Sequence, residues 1–143
     1  DIVLLHAVTN GNWREDMRGA MDALSEAKEK GIVRAHGISC HSLSALEAAA
    51  DEPWVDVDLA RYNPDGVMMD SDVETVAAVL QKMKDKGKGA IGMKVYGAGR
   101  LLHKKDECLK FHTSNNFIDA FTLGLENEEQ LLDVLDRLPK ATG

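Results

Sequence analysis

A short apolar run followed by an amphipathic stretch recurs along this chain, and that alternation constrains its fold more than any other feature. Ile2 to His6, Val33 to Ser39, Val55 to Asn63, Ala90 to Lys94 and Phe117 to Gly124 read as five strands, each ending in small or polar residues. Near-continuous apolar strands belong to parallel sheets covered on both faces, and parallel neighbours need long crossover connections, usually helical. The pattern predicts an α/β architecture, a βα barrel or a doubly wound sheet, with function at the C-terminal strand ends.

Length adjusts that expectation. A complete (β/α)8 barrel takes about 250 residues, whereas this chain has 143 and opens on Asp1 directly before a strand. The reading is therefore a partial (β/α)8 TIM barrel of about five parallel strands, the C-terminal half-barrel of something larger. No composition break or low-complexity stretch divides it, so residues 1–143 form one domain.

The first expected helix runs from about Met17 to Lys30, with Met17, Ala20, Met21, Leu24 and Ala27 at helical spacing and Gly31 as its stop. A polar loop from Thr9 to Trp13 precedes it. A short helix follows over Leu43 to Ala50, where Ser44 and Glu47 have capping-box spacing; Ser71 and Glu74 do the same for a helix over Asp72 to Lys86. A basic helix from Lys104 to His112 and a last one, capped by Asn127 with Gln130 and running to about Leu138, complete the series.

Several function classes are excluded by composition. A net charge of −7 opposes a nucleic-acid surface, which needs clustered Lys and Arg to neutralise phosphates. No apolar run approaches the roughly 18 residues of a membrane span. His103, Cys108 and His112 match no zinc-ligand spacing, so no metal is expected. Two cysteines, Cys40 and Cys108, cannot frame a disulfide-rich fold and suit a reducing, cytoplasmic compartment.

In order and spacing, the motifs resemble the C-terminal half of the aldo-keto reductase family. Leu4-Leu5-His6 is similar to that family's fourth strand, and Lys30-Gly31-Ile32-Val33-Arg34 to the approach to its fifth. Gly37-Ile38-Ser39, Tyr62-Asn63-Pro64 and the loop Gly97-Ala98-Gly99-Arg100-Leu101 follow in family order, and Leu123-Gly124 with the next helix resembles the adenosine-phosphate site. Their wording is closest to a divergent bacterial branch.

The resemblance implies NADPH-dependent reduction of a small aldehyde or ketone. His6 would be the catalytic histidine that orients the carbonyl; the family's Asp, Tyr and Lys belong to strands outside this chain. Ser39 would bond the nicotinamide carboxamide. Cys40 stands where the family has Asn, Leu59 where it often has Gln, and Met93 where it often has a stacking Tyr, so these positions would hold the cofactor less tightly. Tyr96 and Gly124 would complete the cofactor site.

Other readings of these residues stay open. His6 also reads as a hydrogen-bonded barrel-mouth histidine, and Ser39 as a turn serine. Lys94 beside the glycine-rich loop suits a pyrophosphate, a solvated position, or the Schiff-base nucleophile of a lyase. Gly97 and Gly99 either bring backbone N–H groups to phosphates or merely turn the chain.

The expectation is an NADP(H) reductase fragment carrying most of the cofactor half of the site and inactive alone, associated as a homodimer or with a missing N-terminal half. The rivals are a lyase using Lys94 and a non-catalytic barrel fragment that binds a partner.

Overall fold

The computed structural model describes residues 1–142, which form five parallel strands joined by helices. Strands β1 (Ile2–Val8), β2 (Ala35–Cys40), β3 (Val57–Arg61), β4 (Gly89–Met93) and β5 (Ala120–Phe121) lie in that order across one sheet. Helices α1 (Trp13–Asp16) and α2 (Arg18–Glu29) connect β1 to β2; α3 (Leu43–Asp51) connects β2 to β3; α4 (Val73–Asp85) connects β3 to β4. After β4 come the glycine-rich loop, α5 (Lys105–Thr113), β5 and α6 (Glu128–Thr142).

This is the half-barrel that the strand pattern predicts. All four neighbouring pairs are parallel, and strand alternation assigns the faces: Leu5, Ile38, Ala60 and Ala90 enter the core beneath the helices. Leu46, Ala49, Val76, Leu80 and Met83 meet them from α3 and α4. Leu4, Val57, Leu59 and Ile91, on the opposite face, are only half-buried. A smaller apolar cluster of Val95, Leu101, Cys108, Leu109 and Val134 joins the glycine-rich loop to α5 and α6.

The structure corrects several local expectations. Trp13, read as loop, begins the single turn α1 and is buried, 1% exposed. The cap of α3 is Ser42, whose Oγ accepts the Ala45 N–H at 3.2 Å; Ser44 lies inside the helix. Asp72 rather than Ser71 caps α4, accepting the Thr75 N–H at 2.8 Å. Asn127 and Gln130 do cap α6: Asn127 Oδ1 accepts the Gln130 N–H and Gln130 Oε1 accepts that of Glu126. That helix continues through Pro139 to Thr142, beyond the expected end.

The fifth strand is the largest departure. Only Ala120–Phe121 is regular strand, an edge paired with β4 alone. Asp119 N–H donates to Ala90 and Thr122 N–H to Gly92, after which the chain leaves the sheet. That departure opens the space described next.

Candidate active site

Four non-glycine residues adopt left-handed backbone, Ala7, Met68, Lys94 and Ala98 (φ between 54° and 60°). Ala7 lies in the irregular last stretch of β1, where the register with β2 shifts between Leu5 and Val8, and the other three lie in loops beyond strand ends. L residues adopt this conformation at a cost, and such strain concentrates where function fixes geometry. Three of the four are or adjoin predicted site residues: Ala7 follows His6, Lys94 is itself one, and Ala98 lies between Gly97 and Gly99.

A cavity of about 480 Å³ opens where β5 peels away from β4. Met93, Lys94, Tyr96, Gly99 and Gly124, all expected at a cofactor site, line it together. Lys94 is exposed and has no ion pair among the described residues. The Tyr96 hydroxyl is buried without a hydrogen-bond partner, and burial pushes its pKa up to about 12, so it stays protonated as a donor. Lys105 and Asp133, also in the lining, neutralise each other across 2.7 Å.

The glycines act differently from the phosphate-cradle expectation. Gly97 N–H donates to Lys94 O at 2.7 Å and Gly99 N–H to Tyr96 O at 2.9 Å, so both groups are taken up inside the loop. Gly97 is buried, and a Cβ there would come within 2.9 Å of Val67. Its part is conformational, through φ of 54° and close packing, and it does not line the cavity.

His6 and Ser39 occupy the inner face of β1 and β2, opposite the helices, as alternation with Leu5 and Ile38 requires. Neither lines the cavity. His6 is exposed beside His41, with ring centroids 6.1 Å apart in edge-on geometry. Burial, with Arg61 next, lowers the His41 pKa, favouring its neutral form. Ser39 is 1% exposed, and its Oγ has no partner among the described residues.

Cys40 requires a correction. One residue beyond Ser39, its side chain turns to the helix side and packs in the main core at 0% exposure. Burial and neighbouring Asp58 hold its thiol protonated, so it is neither a nucleophile nor a contact for a molecule at the mouth. Asp58 is also fully buried, and neither carboxyl oxygen has a partner among the described residues; burial pushes its pKa up to about 7. Nearby, Asp70 is tied to Arg61.

Asn63 carries a role that the sequence reading did not assign. At 0% exposure, its Nδ2 donates to Val67 O at 2.7 Å and Lys94 O at 3.2 Å, while its Oδ1 accepts the Val67 N–H at 3.0 Å. An Asn before Pro64 at a strand end was the available signal. His41 had none, since a histidine one residue past a strand is an ordinary loop residue.

No group of three or more His, Cys, Asp or Glu among the described residues could hold a metal ion. No helix among them is long and apolar enough to cross a membrane.

Comparison with known proteins completes the description. The Aldo/keto reductase family pattern matches residues 1–141. Two solved structures of the "putative aldo-keto reductase" of Pseudomonas aeruginosa superpose with TM-scores of 0.77 at 18% identity. They cover 100% of this chain, which spans only 51% and 52% of theirs, about half their length. No curated protein matches it.

Proposed function

Because this chain belongs to the aldo-keto reductase family, we propose that it forms the cofactor side of a reductase acting on small aldehydes or ketones with a nicotinamide dinucleotide, NADP(H). The observation that carries this reading is the cavity at the ends of β4 and β5, lined by the unpaired Lys94 and by Tyr96, whose buried hydroxyl lacks a partner among the described residues. Donors without acceptors suit the oxygen-rich pyrophosphate of such a cofactor. Bound there, the cofactor supplies the hydride that reduces the carbonyl.

The chain's own residues take three parts. Lys94 places a positive charge against the phosphates, and Tyr96 donates a hydrogen bond beneath them. Ser39, whose hydroxyl lacks a protein partner, holds the carboxamide of the nicotinamide. His6, exposed on the inner face, donates to the substrate carbonyl oxygen and orients it. The general acid comes from strands outside this chain, supplied by further barrel units. Two buried free thiols suit the reducing cytoplasm.

Cofactor fluorescence is titrated with the chain and with Lys94→Met. Weak binding by the unaltered chain, reduced at least tenfold by the substitution, is expected; equal affinities would overturn the reading. Glu126 lines the cavity and Glu128 and Glu129 open α6, so NADH is titrated beside NADPH. Carbonyl-dependent NADPH oxidation by the chain alone is expected to be negligible, since losing a general acid typically costs about 10²–10⁴-fold. A normal reductase rate that survives His6→Ala would overturn both this expectation and the role of His6. The exposure of Lys94 favours the phosphate role over the lyase reading, since a Schiff-base lysine is desolvated.

A further inference from the structure

We propose that Asn63 is the positioning residue for Lys94, holding its backbone in the left-handed conformation that aims the ammonium at the cavity. The inference rests on the phosphate-binding reading of Lys94. Its physical basis lies in how the β3–β4 ladder ends.

The last backbone rung is Tyr62 N–H to Met93 O at 3.0 Å. The carbonyl that follows is that of Lys94, one residue past β4 and turned by its left-handed backbone, and the β3 chain turns away there into Asn63 and Pro64. Pro64 has no N–H to offer. The Asn63 side chain supplies the missing donor instead, with Nδ2 at 3.2 Å from Lys94 O. Gly97 N–H reaches the same oxygen at 2.7 Å, so two donors fix the peptide that follows Lys94.

The carboxamide suits this position. Its other donor and its oxygen grip Val67 O and Val67 N–H, and at 0% exposure no bulk solvent replaces any of the three bonds. Asp would lack both donors, and Ser has neither the reach nor the number. Val67 in turn packs against Gly97, where a Cβ would meet it at 2.9 Å. The clamp therefore makes the β3–α4 turn and the glycine-rich loop one unit with Lys94 between them.

Lys94 has φ of 58°, a conformation that residues other than Gly, Asn and Asp seldom adopt. No ion pair among the described residues holds its side chain. Its direction is thus set by the backbone, and the backbone by the clamp. Without Asn63 the residue relaxes toward a common conformation and its Cα–Cβ bond turns away from the cavity.

A double-mutant cycle tests this without any ligand. Glycine adopts positive φ without steric cost, so Lys94→Gly should raise the folding equilibrium constant roughly fivefold in the otherwise unaltered chain. In an Asn63→Ala background, where Lys94 is already free to relax, the same change should give no gain. An equal gain in both backgrounds, or none in either, overturns the proposal. Should Asn63→Ala fail to fold, Asn63→Ser replaces it in the cycle with the same expected outcomes.

Titration with inorganic pyrophosphate then separates this inference from the reading it rests on. Lys94→Met and Asn63→Ser are each expected to weaken binding at least fivefold, and the double variant no further than the weaker single one. Losses that multiply would mean that Asn63 acts apart from Lys94, which overturns the proposal. If the unaltered chain does not bind pyrophosphate, the phosphate role of Lys94 fails, while the stability cycle still decides whether Asn63 sets its backbone.

Discussion

Asp58 sits in the layer between sheet and helices with no hydrogen-bond partner among the described residues, and its carboxyl titrates near 7 because burial disfavours the anion. In the unfolded chain an Asp titrates near 3.9. Between those values the folded state binds the extra proton, so stability falls as pH rises through that window and levels off above it. The slope is at most about 1.4 kcal/mol per pH unit. Urea midpoints at pH 4.5, 6 and 8 should decline in order, and Asp58→Asn should flatten the trend; an unchanged slope would remove Asp58 as its source. Tyr96→Phe is a second test at this scale: removing a buried hydroxyl without a partner should change stability by less than about 0.5 kcal/mol. A tenfold loss of NADPH affinity alongside would place that hydroxyl on the ligand. Sequence reasoning placed Lys94 and His6 near strand ends, where the structure has them, because strand ends are readable, but misjudged Cys40 because a shift of one residue along a strand exchanges mouth for core.

At the scale of elements, capping was only half legible. Two Ser-x-x-Glu patterns pointed to Ser44 and Ser71, yet the caps are Ser42 and Asp72. Both true caps are extended residues, a backbone state invisible in composition. Ser42→Ala should cost about 1 kcal/mol in chemical denaturation, and Ser44→Ala only a few tenths; the reverse order would restore the rejected box. Gly92 ties β4 to α5, since a Cβ there would meet the His112 ring at 2.8 Å. Burial lowers the pKa of that imidazole and keeps it neutral, and its Nδ1 lies 3.0 Å from Cys108 O. Gly92→Ala should destabilise by about 1–3 kcal/mol through overpacking, and His112→Ala should relieve part of that loss in the double variant. Strand five was overread because apolar content from Phe117 to Leu123 could not distinguish a paired edge from a chain leaving the sheet.

For the whole molecule, parallel order was fully legible from the alternation of strand and helix, whereas the fate of the sheet's sides was not. β1 is an edge with Ile2 and Val3 exposed at 45% and 39%, and α6 presents Leu131, Leu132 and Leu135 to solvent. Unguarded apolar edges template further pairing. We expect the purified chain to associate, with itself or with strands that complete the barrel. Light scattering across micromolar concentrations should show species above 15.6 kDa, and Val3→Lys should shift them toward monomer. A concentration-independent monomer would show that these surfaces are tolerated in water.

The strictly sequential strand order has a consequence for how the molecule comes into being. Every strand pairs only with the strands immediately before and after it in the chain. A nascent polypeptide leaving the ribosome can therefore dock each new strand and helix onto the preceding unit, without waiting for a distant segment to be synthesised. Growth by accretion also makes the fold modular in descent: a gene duplicated or broken between units still encodes strands whose partners lie within the same stretch of chain.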